Sequence, residues 1–154
     1  MKPILFHDID GVLFGEYDGQ FQLRPGVSSW LRWAVQTFDL VWLTSWDREK
    51  LHTLLRGLYL DDVIQQSTYG DWMNYQHKEA WLERAHKRLN GRAWYWVDDI
   101  HTDISTLPAE SCVLVNPKGR DELERLKTFL SGRLSASGTD MAQESIHHAH
   151  SSRF

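Results

Sequence analysis

The chain has 154 residues, 42% of them hydrophobic and 25% charged, which suits one compact domain and leaves too little for a second. Its formal net charge of −4 argues against an extended, non-specific nucleic-acid surface, which needs a basic stripe, although a local phosphate or cation site stays open. The single cysteine, Cys112, excludes an internal disulfide and a cysteine-based zinc site, and no run suits a membrane span or a signal peptide, so we expect a cytoplasmic protein.

Four apolar runs of strand length alternate with helical patterns, and each run leads into a polar residue. Continuously apolar strands are typical of a parallel sheet that is buried on both faces. A further short strand is expected around Val63 and Ile64. The four runs are 4–6 leading to Asp8, 40–43 leading to Thr44, 94–97 leading to Asp98, and 113–115 leading to Asn116.

Helical spacing of apolar residues fills the intervals between these runs. Pro25 suits the first position of one helix, and Asp47 can cap the next. A third helix is expected over about 77–89, where an Asn-Gly pair ends it, and a last one over roughly 120–130.

This order of elements predicts an α/β fold, a three-layer α/β/α sandwich with a central parallel sheet and no folded cap domain, in residues 1–130. Such sheets bind ligands beyond the carboxyl ends of their strands, where the polar residues of this chain lie. Residues 131–154 form a polar tail rich in histidine and serine, which we expect to be mobile or loosely docked. Three histidines of this tail could bind a transition metal, namely His147, His148 and His150. A solvated tail without metal is the preferred interpretation.

The strongest motif is Asp8-Ile9-Asp10-Gly11 directly after the first apolar run. Residues two apart in an extended chain point to the same side, so Asp8 and Asp10 could face one ligand. Two carboxylates held together repel unless a cation or a proton lies between them, and oxygen-only ligands favour magnesium. Gly11 would let the chain leave the strand sharply. A hairpin turn at Asp10-Gly11 is one alternative, and a calcium loop is a weaker one because its glycine would be misplaced.

Four features of the chain resemble the four motifs of the haloacid-dehalogenase superfamily. They are the run hhhDxDGVL, a threonine that ends the second strand, a lysine that opens a later helix, and an acidic pair that ends another strand. FDLVWLTSW and YWVDDI are most similar to the small capless domains associated with bacterial RNA-repair proteins. The resemblance covers about residues 3–130. It implies a Rossmannoid fold and a magnesium-dependent phosphohydrolase.

The resemblance also implies roles for residues of the first two motifs. Asp8 would be the nucleophile that forms a phospho-aspartyl intermediate, and Asp10 would be the acid and then the base. The metal would be held by the carboxylates of Asp8 and Asp99 and by the main-chain carbonyl of Asp10. Gly11 and Thr44 would bind the phosphoryl group, with Ser45 as the second choice for Thr44. The alternative for either hydroxyl is to cap the helix that begins near Asp47.

Helical phase selects the lysine of the third motif. At about 100° per residue, Lys78 lies on the side that carries the apolar residues of its helix, while Lys87 points to solvent. Lys78 can therefore neutralise phosphoryl charge. Within Val97-Asp98-Asp99-Ile100-His101-Thr102-Asp103, the resemblance makes Asp99 the metal ligand and Asp103 a supporting residue, with Asp98 holding Lys78 by a salt bridge. Two alternatives stay open: Asp98 could be the direct metal ligand, and one of the three acids could cap a helix.

Three further expectations concern the surroundings of the site. His7 departs from the apolar residue that the pattern prefers, and strand alternation turns it away from Asp8, so we interpret it as a buried histidine rather than a base. Trp46 and Trp72 should lie near the site entrance, where they could stack on a substrate base or pack as a lid against the flap between residues 13 and 25. A capless site is open, so its substrate, a second copy or a partner protein would close it.

The expected function is therefore a phosphomonoesterase, with nucleotides or nucleic-acid ends as the favoured phosphorylated substrates and no membrane partner. The second hypothesis is a non-catalytic phosphate- or phosphoprotein-binding module on the same fold, although binding alone would not need Asp10. The third is a receiver-like phosphoacceptor, which places its phosphorylated aspartate after the third strand and fits Asp10-Gly11 poorly.

Overall fold

The computed structural model describes the backbone of residues 1–147 and the side chains of residues 1–136. Its strands are β1 (Ile4–His7), β2 (Phe14–Tyr17), β3 (Gln20–Leu23), β4 (Asp39–Trp42), β5 (Ser67–Tyr69), β6 (Trp94–Asp98) and β7 (Cys112–Leu114). Its helices are α1 (Val27–Thr37), α2 (Arg48–Gly57), α3 (Asp61–Gln65), α4 (Lys78–Lys87) and α5 (Glu122–His147), with a 3₁₀ turn at Ala109–Ser111.

Five strands form one parallel sheet in the order β5-β4-β1-β6-β7. Counted along the chain, these five strands run 3-2-1-4-5 across the sheet. The direction of winding therefore reverses at β1, whose two neighbours are β4 and β6. In open α/β sheets a crevice forms beyond the carboxyl ends of the strands at this reversal, and ligands bind there.

The buried strand residues alternate between two cores, because successive side chains leave a strand on opposite faces. In β1, Leu5 faces the core that contains helices α1, α2, α3 and α5, whereas Ile4 and Phe6 face the core under α4. The sheet is thus covered by helices on both faces, which confirms the predicted α/β fold with a central parallel sheet and explains the continuously apolar strands.

Two sequence expectations need correction. The apolar pair Val63 and Ile64 lies in helix α3, with Val63 buried against the core, and the strand follows at Ser67–Tyr69. A short apolar pair cannot by itself distinguish the two, because either structure buries it. The helix expected to end near residue 130 continues to His147, and Leu134 packs against the core. His148 and His150 lie outside the described residues.

The segment between β1 and α1 contains only an antiparallel hairpin of β2 and β3. Its turn is Asp18-Gly19, with positive φ at both residues (53° and 74°), as a two-residue turn of type I′ requires. The hairpin alternative for Asp10-Gly11 is therefore wrong, since β1 lies in the parallel sheet. In the part of the chain that the structure describes, none of the helices combines the length and apolar character needed to cross a membrane.

Candidate active site

The site lies where β1 and β6 end side by side. The parallel pairing places His7 opposite Val97, so the residues that follow each strand emerge at the same edge of the sheet. Asp8 is the first residue after β1, and its backbone N–H donates to the carbonyl of Val97 at 3.3 Å. Asp98 is the last residue of β6. The topological reversal therefore brings together two acidic positions that are far apart in sequence.

Three carboxylates converge at this edge. One oxygen from each of Asp8, Asp98 and Asp99 can be chosen so that all three lie within 4.8 Å of one another. Lys78, at the start of α4, contacts two of these carboxylates. Its Nζ lies 2.9 Å from Asp8 Oδ2 and 2.7 Å from Asp98 Oδ2. One ammonium thus pairs with two of the three carboxylates, and the remaining negative charge suits a divalent cation with oxygen ligands.

Burial makes the ionised form of this cluster costly. It raises the pKa of Asp8 to about 6, with the charge of Asp98 adding to the rise and Lys78 opposing it. Burial also raises the pKa of Asp98 to about 6, again against the effect of Lys78. For Lys78, burial alone would lower the pKa, but the two carboxylates outweigh it and raise the pKa. Lys78 therefore stays charged, and the carboxylates carry a negative charge that further cations would stabilise.

Gly11 allows the chain to pass directly against Asp99. Its φ of 79° is in the left-handed region, and a Cβ built on it would lie 2.2 Å from Asp99 Cγ. A side chain at this position would collide with the Asp99 carboxylate, which would have to move. The glycine of the first motif is thus required by the fourth motif, a contact that the sequence pattern alone does not reveal.

Thr44 is buried two residues after the end of β4, and its hydroxyl accepts a hydrogen bond from the backbone N–H of Trp46 at 3.2 Å. Ser45 is exposed. Neither residue caps α2, because Asp47 does so by accepting from the N–H of Lys50 at 2.8 Å. The capping alternative for the two hydroxyls is therefore wrong, and the predicted cap at Asp47 is confirmed.

Two predicted acids are not among the converging carboxylates of the described residues. The chain leaves the extended conformation after His7, so strand alternation does not carry Asp10 to the side of Asp8, and Asp10 is exposed. Its predicted metal contact, through the main-chain carbonyl, stays a prediction. Asp103 is exposed, and its carboxylate accepts from the N–H of Ser105 at 3.0 Å, which lowers its pKa. Asp103 therefore does not support the cluster directly.

The supporting carboxylate that sequence reasoning missed is Glu79, next to Lys78. It is 4% exposed, and its Oε2 accepts from the backbone N–H groups of Thr102 and Asp103 at 2.5 and 2.8 Å. Glu79 thus holds the loop that follows Asp99. The sequence signal that could have identified this residue was its position directly after Lys78, the lysine of the third motif.

Arg24 was also missed, and its neighbours in sequence offered no signal. It is 2% exposed, and its guanidinium donates to the carbonyls of Gly11 and Val12 at 2.6 and 2.5 Å. It also donates to the carbonyls of Phe14, Asn116 and Gly119. The side chain therefore ties the loop after β1 to the loop after β7. Gly15 makes room for it, since a Cβ there would lie 2.7 Å from Arg24 Nη2.

The two tryptophans lie beside the residues of the second and third motifs. Trp72 is half-buried, its indole N–H donates to the Thr44 carbonyl at 2.8 Å, and Lys78 Nζ lies 5.5 Å from the centre of its ring. Trp46 packs against Phe14 of the hairpin at 5.8 Å between ring centres, which agrees with the lid-packing alternative. Lys50 Nζ lies 3.9 Å from the ring of Trp46.

His7 is fully buried, as predicted. Burial lowers its pKa to about 4, although the hydrogen bond to the Asp8 carbonyl opposes this, so the imidazole is neutral at physiological pH.

Comparison with known proteins identifies no relative: no family model matches the chain, and no curated protein matches it.

Proposed function

We propose that this protein is a magnesium-dependent phosphohydrolase of the haloacid-dehalogenase type, a phosphomonoesterase that acts through a phospho-aspartyl intermediate on Asp8. The observation that carries the proposal is the convergence of Asp8, Asp98 and Asp99, with the Lys78 ammonium 2.9 Å from Asp8. An exposed, solvated acidic patch would not need a lysine buried between its carboxylates, whereas phosphoryl transfer through a phospho-aspartate needs a nucleophilic carboxylate with cations around the phosphoryl group.

The donor set fits magnesium. Carboxylates Asp8 and Asp99, together with the Asp10 carbonyl, would hold the ion, and Asp98 would hold Lys78. Bound magnesium would neutralise the charge that develops on the phosphoryl oxygens. Zinc is disfavoured, since the cluster contains no nitrogen or sulfur ligand.

The residues of the chain then divide the chemistry between two steps. An Asp8 oxygen attacks phosphorus, and the bond from phosphorus to the leaving oxygen breaks as Asp10 protonates that oxygen. Asp10 next accepts a proton from a water molecule that attacks the phospho-aspartate, which releases phosphate and restores Asp8. The exposure of Asp10 suits this role, because its carboxyl must reach a leaving group and a water that both come from solvent. Lys78 and the Thr44 hydroxyl would hold the phosphoryl oxygens.

The favoured substrates are nucleotides or the phosphorylated ends of nucleic acids. Two half-buried indoles beside the site, Trp46 and Trp72, support this choice, because aromatic rings stack on bases of any sequence. The hairpin of β2 and β3 is too small to enclose a substrate, so a bulky substrate or a partner chain would exclude water.

An aryl phosphate assayed with and without magnesium, using Asp8→Asn as control, tests the proposal. We expect magnesium-dependent turnover that the substitution lowers by at least about 10³-fold. A screen of nucleoside monophosphates against 3′- and 5′-phosphorylated oligonucleotides then identifies the substrate. Tight phosphate binding without turnover would favour the non-catalytic binding module instead.

The strand order disfavours the receiver-like alternative. The five parallel strands run 3-2-1-4-5, whereas receiver domains of the flavodoxin type use 2-1-3-4-5. The candidate nucleophile also follows the first strand instead of the third. Stoichiometric labelling of Asp8 by a phosphodonor, with no release of phosphate, would nevertheless support a phosphoacceptor over the proposed enzyme.

A further inference from the structure

A buried chain of hydrogen bonds runs from helix α1 to the candidate nucleophile. Trp30 of α1 and His7 of β1 are 2% and 0% exposed. The indole Nε1 of Trp30 lies 2.9 Å from Nε2 of His7. The other ring nitrogen of His7, Nδ1, contacts the main-chain carbonyl of Asp8. A polar side chain in this core is costly unless both of its ring nitrogens are satisfied, and here both are.

The two partners of His7 specify the same tautomer. An indole N–H can only donate, so His7 Nε2 must accept from Trp30. A carbonyl oxygen can only accept, so His7 Nδ1 must donate to Asp8. A neutral imidazole has one donor and one acceptor nitrogen, and the arrangement uses each once. The ring is therefore held in the form that carries its proton on Nδ1.

The peptide unit that His7 contacts also acts on the nucleophile. The Asp8 carbonyl and the Ile9 N–H belong to one planar peptide group and point in opposite directions. The Ile9 N–H donates to Asp8 Oδ1 at 2.7 Å, while Lys78 Nζ contacts Oδ2 at 2.9 Å. The orientation of this peptide therefore decides which carboxylate oxygen of Asp8 accepts from the amide. Oδ1 accepts from the Ile9 N–H, and Oδ2 contacts Lys78.

We infer that Trp30 and His7 are positioning residues, which lock the Asp8–Ile9 peptide so that its N–H holds Asp8 Oδ1 and leaves Oδ2 beside Lys78. Each donor in the chain polarises the next, so the Ile9 N–H becomes a stronger donor to the carboxylate. A leucine at position 7 would fill the core but would remove the hydrogen bond that holds the Asp8 carbonyl. This inference rests on the proposed function for its effect on turnover, but the hydrogen-bond chain itself can be measured without it.

The tautomer and the chain are tested by NMR of the full-length protein. We expect ¹⁵N shifts that place the His7 proton on Nδ1, and an Ile9 amide proton shifted downfield. Trp30→Phe keeps an aromatic ring and removes the first donor, so the Ile9 amide proton should move upfield. Trp33→Phe is the matched control, because Trp33 lies 5.4 Å from Trp30 between ring centres but makes none of these hydrogen bonds. A proton on Nε2 of His7, or an Ile9 shift unchanged by Trp30→Phe, would overturn the inference.

The kinetic test separates positioning from packing. Asparagine places its amide nitrogen where Nδ1 of histidine lies, so His7→Asn keeps the donor to Asp8, whereas His7→Leu removes it. We expect His7→Leu to lower kcat by about 10- to 100-fold with KM changed less than about twofold, and His7→Asn to recover most of that loss. Equal losses in both variants would assign His7 to core packing alone. If His7→Leu does not fold, the comparison of His7→Asn with Trp30→Phe and the tautomer measurement decide the matter.

The two proposals fail in different ways. Absence of phosphatase turnover in the wild-type protein, with the Nδ1 tautomer and the Trp30-dependent Ile9 shift intact, would refute the proposed function and leave the hydrogen-bond chain standing. Normal turnover in His7→Leu, with wild-type activity confirmed, would refute the positioning role and leave the phosphatase standing.

Discussion

The Asp10-Gly11 dipeptide follows the central strand β1, and the Asp18-Gly19 dipeptide closes the hairpin between β2 and β3. Both glycines have a left-handed backbone, with φ of 79° and 74°. A Cβ at Gly11 would collide with the Asp99 carboxylate, whereas a Cβ at Gly19 would meet nothing within 4 Å. The same local signal thus serves a crowded acidic site in one place and an open turn in the other.

The two lysines of α4 show the same contrast. The side chain of Lys78 is 13% exposed and touches Asp8 and Asp98, whereas that of Lys87 is 68% exposed and lies 4.0 Å from Glu83. The same helix therefore directs one lysine, Lys78, to the site and the other, Lys87, to solvent. These matched pairs supply a control for each test below, because the control carries the same substitution outside the site.

Replacing the acid of each dipeptide should give the largest difference. We expect Asp10→Asn to lower kcat by about 10²–10⁴-fold, since the leaving oxygen loses its proton donor. Asp18→Asn should leave turnover unchanged, because asparagine tolerates the left-handed backbone of the hairpin. Steady-state assays with an aryl phosphate measure both. Equal effects would mean that Asp10 is only a turn residue.

Removing the charge of each lysine should give the next largest effect. We expect Lys78→Met to lower kcat/KM by about 10²–10³-fold, because the phosphoryl charge and two buried carboxylates lose their ammonium. Lys87→Met should change turnover by less than about twofold, as exposed ion pairs contribute little. The activity ratio of the two variants is the measurement. A ratio near one would place the phosphate elsewhere.

Adding a methyl group to each glycine should separate backbone strain from contact with Asp99. Both Gly11→Ala and Gly19→Ala should lose about 1 kcal/mol of unfolding free energy from the left-handed backbone, and Gly11→Ala should lose more because its Cβ also collides with Asp99. We expect Gly11→Ala alone also to weaken magnesium binding by about tenfold or more, because its Cβ displaces a predicted ligand. Denaturant unfolding and magnesium titration report the two effects. Equal magnesium affinity in both variants would remove Asp99 from the metal site.

The smallest expected effect is the pH dependence of stability without metal. The pKa of Asp8 is raised to about 6, so its protonated form is favoured by folding, and the stability that this contributes is lost as pH rises through about 6. The loss runs from the ordinary carboxyl pKa of 3.8 to about 6, so Asp8→Asn should match the wild type near pH 3.5 and exceed its unfolding free energy by about 1–3 kcal/mol near pH 8. Asp18→Asn should show no such trend. Thermal unfolding at both pH values, in chelator, measures the difference, and a wild type more stable than Asp8→Asn near pH 8 would contradict it.

Local patterns in the chain were enough for much of this architecture. Continuous apolar runs predicted strands β1, β4, β6 and β7, and Asp47 predicted the start of α2. Helical phase alone placed Lys78 toward the site and Lys87 toward solvent, because a helix repeats its directions every 3.6 residues. The pair Val63 and Ile64 was too short for such a period to appear, and it was assigned to a strand in error.

The candidate site was predicted in its composition more than in its geometry. Asp8, Asp98 and Asp99 were expected at strand ends and do converge. Asp10 was expected beside Asp8 by strand alternation, an argument that fails because the strand ends at His7. Asp103 was expected to support the cluster, but Glu79 holds that loop instead.

Periodicity, caps and turn residues are properties of a few neighbouring positions, so the chain itself specifies its strands, helices and the residue types at their ends. The contacts of the site join residues far apart in the chain: Gly11 to Asp99, Arg24 to Asn116 and Trp30 to His7. Such contacts follow from the order of the strands and the packing of helices on each face of the sheet. Which carboxylates meet, and which tautomer His7 adopts, is therefore set by the folded molecule, because burial and hydrogen-bond partners exist only there.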